Sequence, residues 1–168
     1  MANEAQTAGA SRSVRIRIAE RADAERIKEI INAAFRLAEG FFIDADRIEM
    51  PEVLTSLEKG KFLLAETDGA IVGCVYIEPR GERSYLGLLS VDPGRQQSGL
   101  GTFLMEAAEN HCRDLGSRFM DILVVSLRKD LPSFYSKRGY AETGTSPFPA
   151  DVETKLPCHF IDMSKPLI

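Results

Sequence analysis

Hydrophobic and polar residues follow two different periods along this chain. In residues 14–18, apolar positions alternate with arginines, which is the pattern of a half-buried strand. Residues 27–38 carry apolar side chains at helical spacing, so we expect an amphipathic helix that ends at Gly40. A second, short helix is predicted over residues 51–59, because its proline suits a first helical turn.

The middle of the chain changes from strand to helix and back to strand. Residues 62–66 and 71–77 flank an Asp-Gly pair and predict a hairpin. Residues 85–91 are almost all apolar, as in a strand at the centre of a sheet. A helical period follows over 100–115 and a strand over 119–125, which together predict a right-handed crossover between parallel strands. The remaining predicted elements are a short helix over 131–137, a strand from Tyr140, a proline-containing loop over 145–152 and a last strand over 158–163.

The order of these elements predicts an α/β (α+β) fold. We expect a mixed, mostly antiparallel sheet of about seven strands, with a central parallel pair and helices on both faces. Residues 1–13 lack the apolar run of a signal peptide and are predicted to be a disordered leader. Residues 14–168 are predicted to form a single domain.

Composition narrows the classes of partner and cofactor. The formal net charge of −4 gives no basic footprint for nucleic acid. No segment approaches the roughly 20 apolar residues of a membrane span, so we expect no membrane partner and a cytoplasmic location. The three cysteines form no C-x-x-C pair, so we predict neither a disulfide framework nor a metal site. The sequence leaves open whether the chain forms a homodimer.

The most informative segment joins the strand over 85–91 to the long helix. It contains Gly99 and Gly101 where the helix begins. The first N–H groups of a helix have no intrahelical partner, and the helix dipole is positive there. Because glycine lacks a Cβ, an anion can approach this backbone closely. The segment therefore predicts a phosphate or pyrophosphate site.

The residues of this segment select among phosphate-binding motifs. Leu100 and Gly101 stand where a P-loop needs lysine and serine or threonine, and the dinucleotide fingerprint fails at Leu104. The pattern that fits is Q/R-x-x-G-x-G/A, from Gln96 through Gly99 to Gly101.

This pattern resembles the pyrophosphate-binding signature of the GNAT superfamily of N-acetyltransferases. Residues 134–140, F-Y-x-x-x-G-Y, also resemble the family's F/L-Y-x-x-x-G-F/Y segment, and the order of elements is similar over residues 14–163. The resemblance implies acetyl-CoA as co-substrate. It also implies direct transfer of the acetyl group, in a ternary complex, to an amine of a small molecule or peptide.

The resemblance further implies which residues hold the cofactor. The pantetheine arm is expected in a gap between the strands over 85–91 and 119–125, paired with the backbone of Leu89, Ser90 and Val91. The pyrophosphate is expected at the turn that opens the helix. The residues of that turn are Arg95, Gln96, Gln97, Ser98, Gly99, Leu100, Gly101 and Thr102.

Tyr135 matches the family tyrosine that lies near the sulfur. With an ordinary pKa of about 10 it is protonated at neutral pH and can donate to the departing thiolate. The family often carries its general base on the strand over 85–91, which has no carboxylate here. Glu78 on the preceding strand is therefore the candidate base, and a water relay through Ser90 or Tyr85 is the alternative. Arg128 occupies the position of a frequent family asparagine, whose role does not carry over.

The acceptor is expected opposite the cofactor, between the loops over 39–46 and 145–155. Phe41 and Phe42 are candidates to line its pocket. A small amine, an amino acid, a peptide N-terminus and an aminoglycoside all remain open as acceptors. Two other functions also stay open, namely a non-catalytic acyl-CoA-binding sensor on the same fold and an interaction module with an empty cleft.

Overall fold

The structure is a computed structural model that describes residues 5–6, 13–96 and 98–168. Most of the predicted leader therefore lies outside the described residues, as does Gln97 of the predicted cofactor turn. Within the leader, Ala5–Gln6 forms a two-residue strand, β1, that pairs with β2 (Ser13–Ile18) in antiparallel orientation. In the described part of the chain, no helix is both long and apolar enough to cross a membrane.

The other described elements match the predicted order of strands and helices. The strands are β3 (Lys61–Thr67), β4 (Ala70–Arg80), β5 (Arg83–Val91), β6 (Phe119–Val125), β7 (Ala141–Pro147) and β8 (His159–Pro166). The α-helices are α1 (Ala24–Glu39), α2 (Met50–Lys59), α3 (Leu100–Asp114) and α4 (Leu131–Ser136). Gly40 follows α1 at its C-cap, as predicted.

The strands form one mixed sheet in the order β1-β2-β3-β4-β5-β6-β8-β7. Neighbouring strands are antiparallel except for β5 and β6, which the α3 crossover joins in parallel. This confirms the predicted central parallel pair. Beside the two-residue β1, the sheet has the seven strands that the sequence predicts.

Both faces of the sheet are covered by helices, as the alternation of β3 shows. Leu63 and Ala65 belong to a core cluster that includes the apolar face of α3. Phe62 and Leu64 point to the other face and belong to a cluster built with α1 and α2. Because strand side chains alternate between faces, one apolar strand serves both cores. The prediction of helices on both faces is therefore confirmed.

The C-terminal part differs from the prediction in one place. The predicted loop over 145–152 is wrong in its first residues, because β7 continues to Pro147. The strand is mostly exposed and lies at the edge of the sheet. A proline is tolerated at an edge because its missing N–H interrupts no hydrogen-bond ladder there. Tyr140 lies just before the strand, buried, and its hydroxyl donates to Glu109 at 2.8 Å.

Candidate active site

Strands β5 and β6 separate after a short region of parallel pairing. Their backbones pair only at Arg83 with Phe119, at Ser84 with Met120 and at Tyr85 with Asp121. Beyond these residues, β5 continues to Val91 and β6 to Val125 without further pairing between the two strands. The result is a gap in the centre of the sheet, as the resemblance to the GNAT family implies.

A β-bulge in β5 bends the strand at this gap. Gly87 pairs with Tyr76 and Ser90 pairs with Cys74, so two residues of β5 oppose one of β4. Leu88 in the bulge has a φ of 53°, which a leucine rarely adopts. Because a bulge increases local bending and twist, it accounts for the departure of β5 from β6.

The gap opens into a cleft of about 1820 Å³ that runs between the two halves of the sheet. One end is lined by the turn before α3 and by α4. The other end is lined by the end of α1, the loop that follows it, and the loop between β7 and β8. Leu123 of β6 lines this cleft although 42% of its surface is exposed, which suits an apolar ligand in the gap.

The turn before α3 has the geometry of an anion site. Gly99 is the N-cap residue of α3 with a φ of 82°, a left-handed conformation that favours glycine. The N–H of Phe103 donates to the Gly99 carbonyl at 3.0 Å. The N–H groups of the preceding residues belong to the first helical turn, whose donors have no intrahelical acceptor. The turn therefore offers backbone donors to a phosphate.

Arg138 is a cationic residue of this end of the cleft that the sequence analysis did not single out. Its guanidinium lies over the Phe134 ring, 3.7 Å from the centroid, and donates to the Phe134 carbonyl at 2.7 Å. It also donates to the Thr102 hydroxyl at 3.1 Å, beside the first turn of α3. The charge is thus held where an anionic ligand of that turn would lie. Its position inside the F-Y-x-x-x-G-Y segment is the signal that could have indicated it.

Most of the predicted cofactor residues come together in the cleft. Ser90 is not among the lining residues: its side chain is buried, and its hydroxyl donates to the Leu88 carbonyl at 2.9 Å. The expected contact of its backbone with the pantetheine arm stays a prediction. Those that line the cleft are Leu89, Val91, Arg95, Gln96, Ser98, Gly99, Leu100, Gly101 and Thr102.

Tyr135 lies on α4 and also lines the cleft. Its side chain is 9% exposed and contacts the rings of Phe134 and Tyr140 edge-on. Burial raises the pKa of Tyr135 to about 12, against the opposing effect of Arg128. The hydroxyl is therefore protonated throughout the neutral range.

Glu78 lies outside the residues that line the cleft. Its carboxylate accepts hydrogen bonds from the Arg80 guanidinium at 2.5 Å and from the Tyr76 hydroxyl at 2.8 Å. These bonds, led by that from Arg80, hold the pKa of Glu78 below its usual range. A carboxylate stabilised in its charged form is a poor proton acceptor.

The two predicted acceptor phenylalanines have different positions. Phe42 is fully buried and lines the cleft, whereas Phe41 is 54% exposed and lies outside its lining. The two rings meet edge-on, with centroids 4.8 Å apart. Phe42 is thus the one that contributes to the acceptor end.

The two loops at the acceptor end are tied together by Lys155, in what we call the Lys155 bridge. The Lys155 N–H donates to the Phe42 carbonyl at 2.8 Å. The Lys155 ammonium lies 2.9 Å from the Asp44 carboxylate. The loop between β7 and β8 is therefore joined to the loop after α1 by backbone as well as by side chain.

Glu39 and Arg128 form an ion pair at the same end, and both line the cleft. Arg128 Nη1 lies 3.7 Å from Glu39 Oε2, and both side chains are largely buried. Arg128 also donates to the Asp130 carboxylate at 3.1 and 3.2 Å. In the sequence, Glu39 appears only as the first residue of the expected acceptor loop over 39–46, although it follows Phe35 by one helical turn and so shares the apolar stripe of α1.

Comparison with known proteins identifies the family. Residues 25–140 match the sequence model of the Acetyltransferase (GNAT) family. The chain belongs to the GNAT family. Among curated proteins, the amino-acid acetyltransferase of Azotobacter vinelandii (strain DJ / ATCC BAA-1303) is 28% identical over 95 residues. That match covers 55% of this chain and 21% of the relative, so the chain spans about a fifth of that protein.

Solved structures of GNAT proteins have the same fold. Ard1 from Thermoplasma volcanium matches with a TM-score of 0.77 and 18% identity, over 92% of this chain and 98% of that one. The ribosomal-protein-S18-alanine N-acetyltransferase from Escherichia coli matches with a TM-score of 0.73 and 16% identity, over 92% and 94%. YncA from Salmonella typhimurium, solved with its cofactor acetyl-CoA, matches with a TM-score of 0.72 and 21% identity, over 92% of this chain and 94% of that one. At these identities the likeness establishes the fold.

Proposed function

We propose that this GNAT protein transfers the acetyl group of acetyl-CoA directly to an amine of a small molecule or peptide. The observation that carries the proposal is that one cleft joins an anion-binding helix terminus, a gap in the sheet and a protonated tyrosine. A pyrophosphate, a pantetheine arm and a leaving thiolate need these three features in that order.

Acetyl-CoA supplies the activated thioester, and the residues of this chain supply its binding and orientation. The first turn of α3 would hold the pyrophosphate, with Arg138 adding positive charge beside Thr102. The exposed apolar side chain of Leu123 and the unpaired edge of β5 would receive the pantetheine arm.

Tyr135 is proposed as the general acid. The amine nitrogen attacks the thioester carbonyl carbon, the tetrahedral intermediate collapses, and the carbon–sulfur bond breaks. The departing thiolate then takes the proton from the Tyr135 hydroxyl. A positioned proton donor of this kind contributes typically 10²–10⁴-fold to a rate.

A covalent acetyl-cysteine is not part of the proposal. All three cysteines are free, and none lines the cleft in the described structure. Burial raises the pKa of the Cys112 thiol and raises that of Cys74 to about 12, so neither forms a thiolate readily. Direct transfer in a ternary complex is the simpler route.

The decisive experiment is an acetyl-CoA consumption assay across small amines, amino acids, peptide α-amines and aminoglycosides. We expect saturable release of free coenzyme A with at least one class, together with an acetylated product seen by mass spectrometry. Acetyl-CoA binding without turnover on any class would favour the non-catalytic sensor. No binding by calorimetry would favour an interaction module with an empty cleft.

A further inference from the structure

The cleft is lined by seven carboxylates, and their exposure separates one from the rest. Six are exposed to solvent. These six are Asp44, Asp46, Glu52, Asp130, Asp151 and Glu153. Glu39 alone is buried, with 7% of its surface exposed. Among the described residues, Glu39 is therefore the cleft carboxylate whose environment disfavours the charged form.

The backbone around Glu39 fixes its position. Glu39 is the last residue of α1, and its main-chain carbonyl accepts the N–H groups of Phe42 and Ile43, each at 3.1 Å. The segment from α1 into the following loop is thus held by two hydrogen bonds to one residue. The side chain can remain inside the cleft without depending on a mobile loop.

The ionic partner of Glu39 is shared with a second carboxylate. Arg128 lies 3.7 Å from Glu39 at ion-pair distance, while its Nε and Nη2 donate to Asp130 at 3.2 and 3.1 Å. Asp130 therefore takes the hydrogen bonds, and Glu39 receives only the field of the guanidinium. An ion pair at this distance compensates only part of the cost of burying the carboxylate.

Glu39 and Tyr135 line the same cleft, and Arg128 acts on both of them. Burial raises the pKa of both groups, and the charge of Arg128 opposes this rise in each. Burial also raises the pKa of Tyr85, and Arg47 opposes the rise at both Glu39 and Tyr85. Tyr85 adds to the effect of burial on Tyr135. All five residues line the same cleft.

We propose that Glu39 is the general base that takes the proton from the acceptor ammonium. This proposal rests on the proposed acetyl transfer and assigns the proton acceptor for it. The burial of its carboxylate, its place in the cleft and its loose pairing to Arg128 carry the assignment. Glu78, the candidate from the sequence, lies outside the cleft and is held by Arg80 and Tyr76.

The proton balance of the step is closed. The acceptor enters as R–NH₃⁺ and gives one proton to the Glu39 carboxylate, which becomes a neutral carboxyl group. The free amine then attacks the thioester carbonyl carbon, the tetrahedral intermediate collapses with cleavage of the C–S bond, and the thiolate takes the Tyr135 proton. The acylated nitrogen still carries one excess proton, which passes to the Tyr135 phenolate. Glu39 loses its proton to solvent, which leaves the product amide, free coenzyme A, a protonated Tyr135 and one released proton.

The charged groups that face Glu39 are few, which makes its titration interpretable. Arg128, from the segment after β6, and Arg47, from the loop after α1, both favour the charged carboxylate. Two other cations near this end are bound to exposed carboxylates. These pairs are Arg36 with Asp46 at 2.7 Å and Lys155 with Asp44 at 2.9 Å. Burial exceeds the effect of both arginines and raises the pKa of Glu39.

The test compares the pH dependence of kcat/KM in the wild type and Glu39→Gln. The acceptor's own titration affects both enzymes equally, so it cancels in the ratio of their rates. We expect a ratio of about 10² above the pKa of Glu39, falling towards one at lower pH, because a protonated Glu39 is no better than glutamine. Acetyl-CoA affinity, measured by calorimetry, should be the same in both proteins.

Three further variants keep the test independent of folding. Glu39→Asp retains a carboxylate and should recover part of the lost rate. Glu142→Gln makes the same chemical change on the exposed strand β7 and should match the wild type. For Glu78→Gln, the ratio of the wild-type kcat/KM to that of the variant should be one at all pH values.

Two results would overturn the assignment. A ratio for Glu39→Gln that is independent of pH would mean a structural role, and a pH-dependent ratio for Glu78→Gln would move the base there. Failure of the proposed function looks different. In that case the wild type would acetylate no amine, whether or not it binds acetyl-CoA. That outcome would remove Glu39 as a base together with the transfer itself.

Discussion

Tyr135 is the residue on which the proposed chemistry depends most directly. Tyr135→Phe keeps the buried ring and its edge-on contacts with Phe134 and Tyr140 and removes only the hydroxyl. We expect kcat to fall about 10²-fold or more, the typical contribution of a general acid. The affinity for acetyl-CoA should change little, because the turn before α3 is untouched.

The same measurement distinguishes three roles for this tyrosine. A loss of cofactor affinity with kcat preserved at saturation would mean that the hydroxyl only binds. No change in either parameter would mean that the ring only packs, and water would then protonate the thiolate.

Glu39 and Glu78 should affect folding stability with opposite pH dependence. The folded-state pKa of Glu39 is raised, so its contribution to stability is present below the ordinary pKa of 4.5 and is lost as the pH rises through the folded value. The pKa of Glu78 is lowered, so its contribution is present above 4.5 and is lost as the pH falls. Relative to the wild type, the melting temperature of Glu39→Gln should therefore rise with pH, and that of Glu78→Gln should fall.

Thermal unfolding of both variants between pH 4 and pH 7 checks these two opposite trends in melting temperature. Since each variant makes the same chemical change, the other serves as its control. Parallel trends in the two proteins would contradict the difference in environment described for them.

At this scale, the sequence predicts residues whose role depends on local backbone and motif. Gly99 and Tyr135 belong to contiguous patterns, so the sequence alone makes them candidates. Glu39 depends on a contact with Arg128 across 89 positions of the chain, and the sequence shows only an acid on an apolar helical stripe. Strand order favours Glu78 as a candidate base, but its hydrogen bonds to Tyr76 and Arg80 are visible only in three dimensions.

The bulge in β5 is the element that turns a regular sheet into a binding site. One additional residue on β5 bends the strand, and the gap with β6 follows from that bend. Gly87, a glycine inside an otherwise apolar strand pattern, is the signal in the sequence that could have indicated the bulge. Helices and buried strands were predicted to within a few residues because their apolar periods are strong. The edge strand β7 was cut short because exposed edge residues carry little hydrophobic pattern.

The Lys155 bridge should control the shape of the acceptor end. Lys155→Pro removes the N–H that donates to the Phe42 carbonyl, whereas Lys155→Ala removes only the exposed ion pair with Asp44. Exposed ion pairs contribute about 0.2–1 kcal/mol, so Lys155→Ala should change the acceptor KM by at most about 5-fold. Lys155→Pro should raise the acceptor KM further and leave the KM for acetyl-CoA unchanged.

Steady-state kinetics with each substrate varied in turn measures both constants. Equal acceptor KM values in the two variants would mean that the backbone bond does not hold the loops in position. A similar rise in the KM for acetyl-CoA would mean that the substitution changes the structure beyond the acceptor end.

For the whole molecule, cofactor binding should appear as thermal stabilisation. A ligand that binds only the native state at 100 times its Kd adds about 2.7 kcal/mol. For a chain of this size that corresponds to a rise in Tm of about 5–10 °C. Gly99→Glu should abolish the rise, because it places a side chain and a negative charge at the anion-binding turn.

The chain provides a matched control at the other end of the same helix. Gly116 also has a positive φ, 93°, and a Cβ at either glycine would meet no atom within 4 Å. Gly116→Glu therefore introduces similar backbone strain and the same charge away from the turn. A normal acetyl-CoA shift in Gly99→Glu, or its loss in Gly116→Glu, would place the cofactor elsewhere.

The short pairing between β5 and β6 also has a mechanical meaning. Only three residue pairs join β5 to β6, so the sheet consists of two parts, which we call leaves: β1 to β5 and β6 to β8. The two leaves are connected at one end of these strands and separate at the other. The inner edges of the leaves carry backbone groups that pair with no strand across the gap. A ligand that carries its own amide groups can act as the missing strand there. Filling the cleft would then stiffen the angle between the leaves, so the co-substrate would complete the architecture that it uses.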